Sequence, residues 1–121
     1  MELNDFTDDE KLFRAVRPWN MYWSKKTNRP SAAAFKTKNE GLSVERGYHR
    51  NDAAVVAEMQ NNFEGHIISV SVGQCKKCDA LVVHKPTSRS IYHSEIHKDN
   101  ETEILNDAQC LKLSFAAIVE S

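Results

Sequence analysis

The chain of 121 residues is 40% hydrophobic and 27% charged, with a formal net charge of −1. That length suits one domain, since domains cluster at about 100–150 residues, and the balanced composition excludes collagen, a long coiled coil and wholesale disorder. No apolar run approaches the roughly 18 residues that span a bilayer and no signal-peptide core follows Met1, so neither a membrane protein nor an exported one is expected.

Residues 1–10 carry five acidic side chains and no basic one. They read as an acidic, weakly ordered arm that closes into a helical turn at Asp8–Lys11, ahead of a single domain over 11–121. Leu12–Val16 is short and apolar apart from Arg14, as in a buried strand, and Pro18 stops it by removing a backbone donor. Residues 19–40 read as loop, with helical turns around Trp19–Trp23 and Ser31–Phe35. Gly41 then leads a second strand, Leu42-Ser43-Val44.

The clearest helix is Asp52–Phe63. Asn51 or Asp52 caps it, Val56, Met59 and Phe63 recur on one face, and Gly65 ends it. Ile68, Val70 and Val72 alternate with Ile67, Ser69 and Ser71, which predicts a strand with one apolar face. The pair Cys75 and Cys78 follows Gly73, where a turn between strands is expected. Ala80–His84 is a β-branched strand ended by Pro86, and Ile91–His97 is another. Asn106 caps a helix through about Phe115, and Ala117–Glu120 forms a last strand. Strands and helices in this order predict a compact single α+β domain with a strongly bent mixed or antiparallel sheet and two main helices.

The near-zero net charge hides a segregation. Residues 11–50 hold ten Lys or Arg against only Glu40 and Glu45, interleaved with Trp19, Tyr22, Trp23, Phe35 and Tyr48. Such a block suits an anionic partner: a small anionic ligand, a nucleotide, an acidic protein, or nucleic acid stacked on Trp19, Tyr22 or Trp23 with Lys25, Lys26 and Arg29 on its phosphates. The bland alternative has these charges pointing in all directions to neutralise acidic patches. Three cysteines, an odd and sparse set, point to a reducing, cytoplasmic compartment.

Several residues carry chemistry. Arg14 is a charge inside an apolar strand, costly unless it is paired or faces a ligand, and its planar fork suits phosphate or carboxylate. The alternative is a sheet-edge arginine in solvent or in an ion pair. Ser43 follows Gly41, where backbone can approach a ligand closely. In the run Tyr92 to His97, an extended chain puts His93, Glu95 and His97 on one face. Two imidazoles around one carboxylate position a nucleophile, hold a metal or bind a ribose. Cys75 and Cys78, followed by His93 and His97, also fall within the C-x2-C…H-x3–5-H window for zinc, although no helix presents both histidines. Cys110 reads as a packed thiol. His49, His66 and His84 show no partner at useful spacing.

Taken in order, Leu12-Phe13-Arg14-Ala15-Val16, Gly41-Leu42-Ser43-Val44 and Tyr92-His93-Ser94-Glu95-Ile96 resemble the three motif strands of ADP-ribosyltransferase-like domains, over about residues 12–97. The chain is similar to small bacterial domains on that scaffold. Two positions depart from the family pattern: only Ser43 stands for a serine–threonine–serine motif, and His93 occupies the place of an acidic residue or glutamine. The resemblance implies NAD as cofactor. Arg14 would bind a phosphate or ribose, Ser43 would orient the nicotinamide ribose, and Glu95 would polarise its 2′-hydroxyl. His93 and His97 would complete the cleft, in competition with their use as zinc ligands.

Overall fold

The computed structural model describes residues 5–121; the first four residues of the expected arm lie outside the described residues. The chain forms β1 (Lys11–Val16), β2 (Trp23–Ser24), β3 (Arg29–Pro30), a 3-10 turn (Ala32–Phe35), β4 (Leu42–Arg46), α1 (Asp52–Asn62), β5 (His66–Ser71), α2 (Val72–Lys77), β6 (Leu81–His84), β7 (His93–His97), α3 (Asp107–Ala116) and β8 (Ile118–Val119). Six strands make one sheet in the order β6-β7-β4-β1-β5-β8, with every pairing antiparallel; β2 and β3 form a separate hairpin. The fold is α+β. No helix among the described residues is long and apolar enough to cross a membrane.

Alternation along β1 sets up two layers. Leu12 and Val16 face a large cluster with Trp23, Phe35, Leu42, Ile68, Cys75 and Leu113, closed by α2, α3, the 3-10 turn and the hairpin. Phe13 faces the opposite way, into a smaller cluster with Val55, Met59 and Ile67 beneath α1. β5 is therefore covered on both faces: Ile68 and Val70 meet the large cluster, Ile67 the small one, and Ser69 is buried with its hydroxyl donating to Glu120 at 2.7 Å.

The caps fall where the sequence placed them. The Asn51 side chain accepts from the Ala54 amide, and Asn106 forms a capping box with Gln109. Gly65 sits at φ +107, and a Cβ there would collide with the Val16 carbonyl, so the α1–β5 corner requires glycine. Three expectations are corrected. The stretch 19–40, expected as loop with helical turns, also holds the β2–β3 hairpin, in which Trp23 pairs with Pro30 and Ser24 with Arg29. Phe63 does not extend the buried face of α1: it lies past the helix end and is 56% exposed, while Val55 joins Met59 in the core. The segment after Gly73 is not a turn but the helix α2, because Ser71 and Gln74 close a capping box that starts one.

The end of the acidic arm is bonded to the domain. Glu10 clasps the fully buried guanidinium of Arg46 through both carboxylate oxygens, at 2.8 and 2.9 Å, and the Asp5 carbonyl accepts from it at 3.1 Å. Phe6 and Tyr48 lie over the same guanidinium at 4.0 and 4.8 Å. Asp8 and Glu10 carbonyls accept from Gly73 and Val72. Removing one member of a buried pair strands the other, at about 3–5 kcal/mol. Glu10→Ala should lose stability on that scale in chemical denaturation; a change below 1 kcal/mol would show that the clasp holds nothing.

Candidate functional site

β1 stays paired with β5 along its whole length, from Lys11–Ser71 to Val16–His66, but with β4 only at Leu12–Arg46 and Phe13–Glu45. β4 meanwhile stays with β7 from Leu42–Ile96 to Glu45–His93. The sheet is thus open along one seam beyond Phe13. Arg14 stands at the opening. Its Nε donates to the Ala34 carbonyl at 3.0 Å and its Nη1 to the Ser43 carbonyl at 2.8 Å, so the guanidinium bridges the 3-10 turn and β4 where ladder bonds have ceased.

No carboxylate among the described residues pairs with Arg14. Burial pushes its pKa down to about 10, with Tyr22 opposing the shift. The group remains a cation at neutral pH, and desolvating a charge without a counter-charge costs several kcal/mol. A cavity of about 230 Å³ opens beside it, walled by Arg17, Trp19, Tyr22, Ala34 and Lys36, with no acidic side chain in its lining. Arg17 lies over the Trp19 ring at 4.8 Å, and Trp19 and Tyr22 are tilted neighbours at 5.9 Å. Lys36 has one exposed partner, Asp107, at 3.1 Å. Three cations and two aromatic rings thus surround a space without a carboxylate, a lining whose charge suits an anion.

The remaining residues of interest lie in register nearby. Ser43 pairs with Glu95 across β4 and β7, and Glu45 pairs with His93. A small cavity of about 140 Å³ is lined by Arg14, Ser43 and His93 together. Glu95 and His97 are not in it. Glu95 Oε1 is held by His97 Nε2 at 3.0 Å and lies 3.8 Å from Lys85 Nζ. Strand alternation also divides the group: Arg14 follows Leu12 and Val16 toward the large core, whereas Glu95, His93 and His97 leave the opposite face from Ser94 and Ile96. Arg14 reaches Ser43 through its carbonyl, not its hydroxyl.

The zinc-spaced set does not come together. Cys75 and Cys78 are packed in the large cluster with Ile96, so β7 stands between them and its two histidines. The Cys78 thiol donates to the Cys75 carbonyl at 3.3 Å, and burial pushes the Cys75 thiol up to about 12. Among the described residues no group of three or more His, Cys, Asp or Glu side chains is placed to hold a metal. Cys110 is a packed thiol in the same cluster, its Sγ donating to the Phe35 carbonyl.

The basic segment divides as well. Arg46 and Arg50 are used internally, Arg50 with Glu45 at 3.1 Å and over Tyr92 at 3.6 Å. Arg29 caps the end of α3 through the carbonyls of Ser114, Phe115 and Ala117. Trp23 is buried and stacks on His66 at 3.7 Å. Sequence reasoning grouped these with Arg14; only strand pairing separates the consumed cations from the open one. Arg17 and Lys36 as walls of the Arg14 cavity were missed, since nothing in their spacing joins them to β1.

Comparison with protein-family models, curated proteins and solved structures finds no match to this chain.

Gly41 backs the Glu95–His97 pair: a Cβ there would lie 2.5 Å from the His97 ring and 2.8 Å from Glu95 Oε1. His97 is buried and has no room to retreat. Gly41→Ala should destabilise by about 1–3 kcal/mol through overpacking and shift the His97 ring resonances; an unchanged melting curve would mean that this contact is slack.

Proposed function

We propose that the chain binds a nucleotide, with a phosphate in the Arg14 cavity. The observation that carries this reading is a desolvated guanidinium without a carboxylate partner, opening into a space that Arg17 and Lys36 make wholly cationic. Among the described residues the Nη2 amino group of Arg14 has no acceptor after the side chain has bonded two carbonyls, and a phosphate oxygen is the acceptor such a donor lacks. Trp19, 51% exposed at the rim, offers a stacking surface for a base. The cavity is smaller than the about 300 Å³ at which pockets begin to enclose drug-sized ligands, so it takes a phosphate and its sugar and leaves the rest of the ligand outside.

The resemblance to ADP-ribosyltransferase-like domains supports NAD within this class, for ADP-ribosyl transfer or dinucleotide hydrolysis. In that chemistry a carboxylate stabilises the developing positive charge at the ribose. The resemblance assigns that role to Glu95, the cross-strand partner of Ser43, which leaves the opposite face of the sheet from Arg14. It would meet the ribose only through the open seam, where Arg14, Ser43 and His93 line one small cavity, once a ligand separates it from His97. The nucleic-acid reading keeps Trp19, Tyr22, Lys25 and Lys26, but Trp23 and Arg29 are already used in the fold.

Titration calorimetry with ADP and NAD at fixed ionic strength tests this. Saturable binding is expected, weakened about tenfold by Arg17→Ala and by Lys36→Ala, the scale of one hydrogen bond to a charged group, and abolished by Arg14→Met. Glu95→Gln should retain binding while losing nicotinamide release from NAD. Absence of binding, or binding indifferent to all three cationic substitutions, would sink the reading. An oligothymidylate bound more tightly than ADP, with steep salt dependence, would transfer the surface to nucleic acid.

A further inference from the structure

A second cavity, about 830 Å³, lies on the other face of the sheet, between α1 and residues 87–90. Its floor is Ser43, Glu45 and His93; Met59 and Phe63 form an apolar wall, and Arg89 stands at the rim. The volume is within the about 300–1,000 Å³ typical of small-molecule sites. The Arg14 reading makes no use of it.

The polar atoms of the floor have a definite sense. His93 Nδ1 lies 2.8 Å from the Lys85 carbonyl oxygen. A carbonyl only accepts, so Nδ1 carries the proton, and in the neutral imidazole Nε2 is left as an acceptor. No partner of Nε2 is found among the described residues, nor of the Ser43 hydroxyl. Glu45 is already satisfied: both oxygens accept from the Ser90 hydroxyl, at 2.9 and 3.0 Å, and Arg50 approaches at 3.1 Å. Glu58 in the wall lies 3.8 Å from Arg50, which also serves Glu45, and Arg89 has no ion pair among the described residues, so two carboxylates meet two guanidiniums around the groove. The lining is therefore close to neutral, acceptor-rich at its floor and apolar at one side. Phe63, exposed over more than half its surface, presents an open ring face there.

We infer that this groove between α1 and β7 is a binding site for a neutral amino-heterocycle, an aminopurine or aminopyrimidine ring that packs on Phe63 and Met59 and donates an N–H to His93 Nε2. A near-neutral lining has little to offer an anion or a dication, and an apolar ring without donors would cover the accessible Nε2 acceptor and leave it unmet. A flat ring carrying an N–H satisfies both the wall and the floor. The groove shares Ser43, Glu45, Met59, Phe63 and His93 with the small cavity at the seam that Arg14 also lines, but the inference does not rest on the nucleotide reading, since it concerns the α1 side of the sheet and a ligand without phosphate.

Free adenine is the probe, followed through the 15N resonances of the His93 ring. Saturable movement of Nε2 is expected, with binding about tenfold weaker in His93→Phe, which keeps the volume and removes the acceptor. Phe63→Ala should weaken it comparably; that side chain lies outside the core, so the variant keeps the fold intact. A ring of similar shape without an N–H donor, 9-methylpurine, should bind about tenfold more weakly than adenine. No movement at the solubility limit of adenine, or equal affinity in both variants, overturns the site. Equal affinity for 9-methylpurine overturns the role of His93.

Discussion

One guanidinium governs the open seam of this sheet. Arg14 arises from a strand whose neighbours on the same face, Leu12 and Val16, are core residues, and strand periodicity leaves it nowhere else to go. Its charge is accommodated because the β1–β4 ladder stops at Phe13, which frees the Ser43 carbonyl as an acceptor. Two carbonyl dipoles are partial compensation for a cation in a low-dielectric place, and no carboxylate completes it. An open seam, an under-compensated charge and a cationic cavity are therefore one structural fact seen from three sides.

Arg46 shows what full compensation looks like in the same protein. It lies on β4, is more deeply buried than Arg14, and receives a two-point carboxylate from Glu10 and aromatic faces from Phe6 and Tyr48. That arginine anchors the acidic segment before β1 and leaves no donor group open to a cavity. The contrast argues against Arg14 being one more structural arginine: the fold supplies a counter-charge where it needs one, and at the seam it supplies none.

The strands of the large sheet, both long helices and their caps were legible because they rest on local physics, whereas the two-residue strands β2 and β3 fell in a stretch that read as loop. Asn51 and Asn106 cap where a short polar side chain precedes a periodic run, and β5 showed its alternation. α2 was not legible, because six residues give no period and the Ser71–Gln74 box was hidden behind Gly73. Of the candidate site, Arg14 was visible as a charge in an apolar run, and Ser43 with Glu95 proved to be true cross-strand neighbours. What strand order alone decides was invisible: that Arg14 meets the Ser43 carbonyl, that Arg17 and Lys36 join it, and that the cysteines and the β7 histidines fall on opposite sides of the sheet.

The most direct examination of the Arg14 cavity is an anomalous difference map from crystals soaked in selenate, a tetrahedral dianion that scatters strongly and matches phosphate in shape and charge. The account predicts a peak within hydrogen-bond distance of the Arg14 Nη atoms, flanked by Arg17 and Lys36. A map with density only on surface lysines, or with a carboxylate from the chain itself seated on Arg14, would contradict it.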